Sequence, residues 1–388
     1  MQNFYYDIPT KIAFGKGEIA KLPKFVKEFG NKVLIVYGGG SIKRTGLYDT
    51  VIHLLDENDI SHEELSGVEP NPRITTVAKG ADMCREHGIQ VVLPIGGGST
   101  IDCAKAIAAA YYFDGDPWDL ICDFSQATEI LPIISVLTLA ATGSEMDLFA
   151  VISNEETKDK IGIGSPLVYP KYSILDPEYT YSVPKYQTAA GTADIMAHIF
   201  EVYFCGIQGT FMQDRIMEAL LKTCIHYGPI ACEKPDDYDA RANLMWTSSW
   251  AINGMIACGK SAAWPIHAME HQLSAYYDVT HGHGLAILIP VWMKHILNDK
   301  TVDIFVNYGI NVFGIDRELD KMEIANKAIE KTKEVFDSMG LSDTLRSIGI
   351  ETKENFEVMA EKALGDGLDD YIVPLTKEDI IHIYDECF

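Results

Sequence analysis

The chain has 388 residues, 47% of them apolar, which is enough for a sizeable core and for more than one domain. Its formal net charge of -24 repels phosphate backbones and anionic lipid, so nucleic acid and membrane surfaces are excluded as natural partners. Eight cysteines are scattered with no CxxC pair, and they read as free thiols of a reducing cytoplasm.

The first residues, MQNFYYDIPTKIAFGKGE, contain no basic segment leading into an apolar one, so no secretory signal is expected. In the first half, apolar β-branched runs alternate with amphipathic stretches. KVLIVYGGG ends in glycines and precedes the helix-like RTGLYDTVIHLLDEN. VVLPIGGGS repeats the scheme before TIDCAKAIAAAYY, and IISVLTLAATGSE reads as a third buried strand ending in a small-residue turn. Continuous apolar runs separated by helical segments predict a parallel sheet with helices on its faces, a Rossmann-like α/β domain. The longest apolar run, ILPIISVLTLAA, is too short to cross a membrane.

The pattern changes after the turn-rich LDPEYTYSVPKY. TADIMAHIFEVYF, DRIMEALLKTCIHYG, ARANLMWTSSWAINGMIACG and DKMEIANKAIEKTKEVFDSMG carry helical spacing. The second and fourth are predicted to stop at Gly228 and Gly340, and Thr376 with Asp379 is placed to cap a last helix. The expected division is an α/β domain over residues 1–185 and an all-α domain over 186–388.

Two predicted strands end in glycine runs, Gly38-Gly39-Gly40-Ser41 and Gly96-Gly97-Gly98-Ser99. Glycine lets backbone amides approach a ligand closely, and a helix starting there adds the positive end of its dipole. Together they suit the pyrophosphate of a dinucleotide, although neither is the spaced GxGxxG fingerprint. The first turn is followed by Lys43 and Arg44 with no acid nearby in sequence. Small residues and cations there favour the 2′-phosphate of NADP over NAD.

Residues 266–284, IHAMEHQLSAYYDVTHGHG, hold four of the eleven histidines. His267 and His271 stand four apart, as do Asp194 and His198 in TADIMAHIFE. On a helix that spacing puts both side chains on one face, about 6 Å apart along the axis. His281 follows in a loop where Gly282 and Gly284 permit a sharp turn. One carboxylate with several imidazoles suits Fe(II) or Zn(II) rather than Mg or Ca.

These segments, with IPTKIAFGKG, GVEPNPR, IGGGSTIDCAKAIA and LDPEYTYSVP, resemble the iron-containing (group III) alcohol dehydrogenases, closest to the clostridial butanol dehydrogenase branch. The resemblance covers essentially the whole chain and implies the dehydroquinate-synthase-like architecture. It implies one divalent metal on Asp194, His198, His267 and His281. His271 then lies outside the ligand set, beside the nicotinamide, as a catalytic proton relay, with His283 as a pocket or supporting group. Cofactor contacts implied by the family fall on Gly40, Asn71, Gly97, Gly98, Ser99, Asp102, Thr138, Leu139, Ser144 and Lys160, beside Gly38, Gly39 and Ser41 of the first turn.

The activity so implied is reversible hydride transfer between NADPH or NADH and a small primary aldehyde such as butanal, giving butanol, in a cytoplasmic homodimer. The nicotinamide is expected between the two domains. Phe149, Trp264 and Tyr276 are candidate walls for an alkyl chain. The alternatives are a glycerol-dehydrogenase-like polyol enzyme and a non-catalytic nucleotide- or metal-binding protein.

Overall fold

The computed structural model describes every residue except Ser261, Ala262, Ser342, Asp343, Asp366, Gly367, Asp369 and Asp370. Two compact units emerge. One comprises Asp7–Val183 and Pro235–Ser249, the other Met1–Tyr6, Pro184–Lys234 and Trp250–Phe388. Residues 235–249, helical by pattern, thus pack with the α/β unit, and the first six residues pack with the helical one.

The α/β unit runs β1 (Lys11–Phe14), β2 (Lys32–Val36), α1 (Leu47–Asp56), β3 (Ser61–Leu65), α2 (Ile74–His87), β4 (Val91–Gly96), α3 (Gly98–Ala110), β5 (Ile134–Leu137), β6 (Phe149–Asn154), β7 (Asp159–Gly164) and β8 (Tyr172–Leu175). Six strands form one sheet in the order β1-β8-β5-β4-β2-β3, with every neighbouring pair parallel. β6 and β7 form a separate antiparallel hairpin. Each residue of β4 is buried, as expected of a strand covered on both faces. Alternation along β2 sends Leu34 and Val36 into the core shared with α2 and α3, and Val33 and Ile35 into the core shared with α1. Both glycine runs sit where a strand ends, at the carboxyl edge of the sheet.

The helical unit contains α4 (Lys185–Tyr203), α5 (Phe211–Glu233), the end of α6 (Tyr238–Ile252), α7 (Pro265–Tyr277), α8 (His281–Ile296), α9 (Val302–Phe313), α10 (Lys321–Met339), α11 (Phe356–Leu364) and α12 (Lys377–Cys387). α4 is buried all round from Thr188 to Tyr203, so it is the central rod of this unit.

Two predicted helix ends need correction. α5 does not stop at Gly228 but continues through Gly228 and Pro229 to Glu233. A Cβ on Gly228 would come within 2.8 Å of Thr192 and 3.0 Å of the Met339 sulfur, so the glycine is there for close packing rather than termination. α6 stops at Ile252, ahead of Gly254 with its positive φ, instead of running on to Gly259. Gly340 does close α10 with φ 87, and its neighbour Leu341 donates its N–H to Phe336 at 3.0 Å. Thr376 and Asp379 cap α12 reciprocally. Among the described residues all eight cysteines are free, and no helix is long and apolar enough to cross a membrane.

Candidate metal centre

α4 presents Asp194 and His198 one turn apart. α7 presents His267, and α8 opens with His281. The Nε2 atoms of His198, His267 and His281 each lie 3.6 Å from the same oxygen, Oδ1 of Asp194. A tetrahedral site with metal–ligand bonds of about 2.1 Å holds its donors about 3.4 Å apart. Among the described residues, donor atoms of Asp194, His267 and His281 all lie within 4.8 Å of one another, while His198 stands outside that group but brings its Nε2 to 3.6 Å from Asp194, too far for a direct hydrogen bond. Oδ1 of Asp194 and Nε2 of His267 are buried with no hydrogen-bond partner among the described residues. Leaving such atoms unsatisfied is costly, and a shared cation removes the cost. The donor set fits a divalent transition metal.

Burial grades across the cluster. The Asp194 side chain is 3% exposed and that of His281 is 23% exposed, so the cluster opens on the His281 side. His271 lies there, partly exposed, with its ring 5.6 Å from that of His281 and 6.1 Å from that of His267. Trp264 packs edge-on to both His198 and His267. His283 turns elsewhere, with its Nδ1 3.0 Å from the Tyr186 hydroxyl. Tyr276 lies under the Lys362 ammonium.

Gly282 and Gly284 do not make the expected loop. Both lie in the first turn of α8, and their small size is what is used. A Cβ on Gly282 would stand 1.9 Å from the Ala190 carbonyl oxygen of α4. Only glycine lets α8 press onto the α4 backbone and bring His281 against Asp194.

Two acids that the sequence reading passed over complete the cluster. Glu201, on α4, takes a short hydrogen bond from Nδ1 of His267, and its other oxygen accepts the Ile266 and His267 N–H groups at 2.6 and 3.0 Å. Glu270, on α7, holds Nδ1 of His281 in the same way and accepts the Ser274 hydroxyl at 2.5 Å. A carboxylate behind a ligand imidazole fixes its tautomer and leaves Nε2 free for the metal. Their sequence signal was available: Glu201 follows His198 by three residues and Glu270 follows His267 by three, one helical turn each.

The charges pull against burial and against one another. Burial pushes the Asp194 carboxyl up, but the His198, His267 and His281 rings outweigh it and hold the group well below the usual carboxylate range. Burial pulls His198 down to about 3, against Asp194, which keeps it a neutral donor. Burial also pulls on His267, yet Glu201 and Asp194 win and push it up to about 10.

In the α/β unit several of the expected cofactor residues stand at the carboxyl edge of the sheet, while Lys160 lies on the separate hairpin. Gly38 to Ser41 follow β2, Gly97 to Ser99 lead into α3, and Thr138 and Leu139 follow β5. A Cβ on Gly39 or Gly40 would meet nothing, so that turn is open to an approaching ligand. Gly98 differs, since a Cβ there would strike Thr142 at 2.2 Å. Asn71 is buried in the left-handed region with φ 55. Asp102 accepts the Ser144 hydroxyl at 2.6 Å and the Val151 N–H at 3.0 Å. Both its oxygens are thus engaged, tying α3 to the small-residue turn and to β6. Lys160 is buried on β7, and Phe149 on β6 packs against Gly164.

Lys43 is not without an acid nearby, as its sequence neighbourhood with Arg44 suggested. Its ammonium lies 3.4 Å from Glu64 on β3 and above the Tyr48 and Tyr37 rings.

Comparison with known proteins agrees with this architecture. The model of "Iron-containing alcohol dehydrogenase" matches residues 9–177, and that of the "Fe-containing alcohol dehydrogenase family, C-terminal" matches residues 188–388. The NADH-dependent butanol dehydrogenase A of Clostridium acetobutylicum is 57% identical over 390 residues, covering 100% of both chains. The NADPH-dependent aldehyde reductase of Escherichia coli is 37% identical over 354 residues, 90% of each. The solved NADH-dependent butanol dehydrogenase A of Thermotoga maritima superposes with a TM-score of 0.94 at 38% identity, covering 100% of this chain and 99% of that one. The chain belongs to the iron-containing alcohol dehydrogenase family.

Proposed function

We propose that the chain interconverts small primary aldehydes and alcohols, butanal and butanol among them, using a nicotinamide cofactor and one divalent cation, Fe(II) or Zn(II), held by Asp194, His198, His267 and His281. The observation that carries this reading is the convergence of three imidazole nitrogens on one aspartate oxygen at 3.6 Å. The names of the similar enzymes, which act on butanol and aldehydes, support the substrate class.

When bound, the cation supplies Lewis acidity for a carbonyl oxygen. The protein groups do the rest. Asp194 provides the charge of the donor set. Glu201 and Glu270 accept from Nδ1 of His267 and His281, which turns each Nε2 inward, and His267 gives up its second proton as the cation binds. Trp264 packs its partly exposed ring edge-on against His198 and His267 and holds both imidazoles in place. His271, partly exposed at the open side, is placed to hold or pass a proton. The open turn of Gly39 and Gly40 and the helix start at Gly98 are the elements offered to the dinucleotide.

Metal-stripped protein is expected to lose butanal-dependent oxidation of the reduced nicotinamide and to regain it with Fe(II) or Zn(II). His267→Ala is expected to lose both metal and turnover. Full turnover by that variant without metal would overturn the reading.

A further inference from the structure

We propose that Glu64 is the residue that sets cofactor choice, turning the first glycine turn toward NADH and against NADPH. This rests on the reading of that turn as the adenosine end of a nicotinamide site.

β2 and β3 pair in parallel, with Ile35 opposite Glu64 and Val36 opposite Leu65. Glu64 therefore stands at the carboxyl end of the edge strand, next to Tyr37, the residue that leads into Gly38. The Tyr37 N–H donates to Leu65 at 3.0 Å and the Gly67 N–H donates to Gly38 at 3.2 Å, so the glycine turn is stitched to the end of β3. In doubly wound sheets an acid about 20 residues after the glycine turn, on the next strand, serves the ribose 2′-hydroxyl. Glu64 follows Gly40 by a similar interval in the same strand–helix–strand unit.

Its carboxylate is held in place. The Tyr37 hydroxyl donates to Oε2 at 2.8 Å, and the Tyr48 hydroxyl donates to Oε1 through a short bond. Lys43 contacts Oε2 at 3.4 Å while its ammonium lies 4.2 Å from the Tyr48 ring centroid. The two tyrosines and the lysine hold the Glu64 carboxyl below its ordinary value against the opposing effect of burial, so it is ionised at neutral pH. Lys43 is consequently neutralised and drawn toward the sheet edge. A 2′-phosphate brought to this turn meets a fixed carboxylate and a cation already engaged. A 2′-hydroxyl carries no charge to be repelled.

The test reads the adenosine end directly and does not depend on turnover. Wild type, Glu64→Gln, and Glu64→Gln combined with Lys43→Gln are titrated by calorimetry with AMP and with adenosine 2′,5′-bisphosphate. Glu64→Gln is expected to shift the ratio of affinities toward the 2′-phosphorylated probe by on the order of tenfold, because a fixed charge is removed and Lys43 is released. The double variant is expected to lose most of that gain. The kcat/KM ratio for NADPH over NADH is expected to move in the same sense. An unchanged probe ratio in Glu64→Gln overturns the proposal, and a gain that persists in the double variant overturns the role given to Lys43. Wild type that binds both probes but oxidises neither nicotinamide would sink the dehydrogenase reading instead. Lys43→Gln alone, at an exposed position, is expected to lower the ratio and guards against misfolding at Glu64.

Discussion

Glu201 and His267 belong to different helices yet form one unit. Glu201 shares α4 with Asp194 and His198, while its carboxylate holds Nδ1 of His267 on α7 and the two N–H groups that start that helix. Glu270 repeats the arrangement one helix further on, from α7 to His281 of α8. Each acid thus aims an imidazole carried by another helix, so the two histidines are coupled to the helices that hold them in place. Glu201→Gln is expected to lower metal affinity by about 10- to 100-fold. Metal content after dialysis against graded chelator checks this, and an unchanged retention curve would remove Glu201 from the site.

His271 and His267 should separate cleanly. His271→Ala is expected to keep one metal per chain and to lose about 10²- to 10⁴-fold in turnover, with an altered pH–rate profile. Loss of the metal from this variant would instead make His271 a ligand.

Gly282 is expected to tolerate no side chain. In Gly282→Ala the new methyl must clear the Ala190 carbonyl, 1.9 Å from the Cβ position. Overpacking of this kind costs about 1–3 kcal/mol, and here it also lifts His281 away from Asp194. A lowered melting temperature together with weakened metal binding is the expected pair. Normal metal binding in the variant would show that α8 does not need to touch α4.

Stability should depend on pH through Glu145. This side chain is fully buried, its Oε1 accepts the Ser249 hydroxyl, and its Oε2 has no hydrogen-bond partner among the described residues. Burial pushes its carboxyl up to about 7, against the help of Ser249. The folded state therefore holds this proton between the ordinary carboxylate range and about pH 7. It binds more protons than the unfolded state there, so stability falls as pH rises through that window. Glu145→Gln, neutral at every pH, should flatten that part of the urea-midpoint profile relative to wild type. Parallel profiles would mean that Glu145 is already ionised in the fold.

The sequence alone determined the α/β character of the first half, the helical character of the second and the four-residue spacing that pairs Asp194 with His198 and His267 with His271. All of these are written in local periodicity, which the backbone obeys wherever the segment ends up. It also marked the caps at Gly340 and Thr376, because capping uses groups only a few residues apart. It misread Gly228 and Gly282, where glycine answers a neighbouring helix rather than its own backbone. It left Lys43 without a counter-ion, since Glu64 comes 21 residues later and meets it only after β3 pairs with β2. Only the tertiary structure decided which acid stands behind which imidazole, because those contacts join helices 66 and 11 residues apart and depend on packing distances that no single segment encodes.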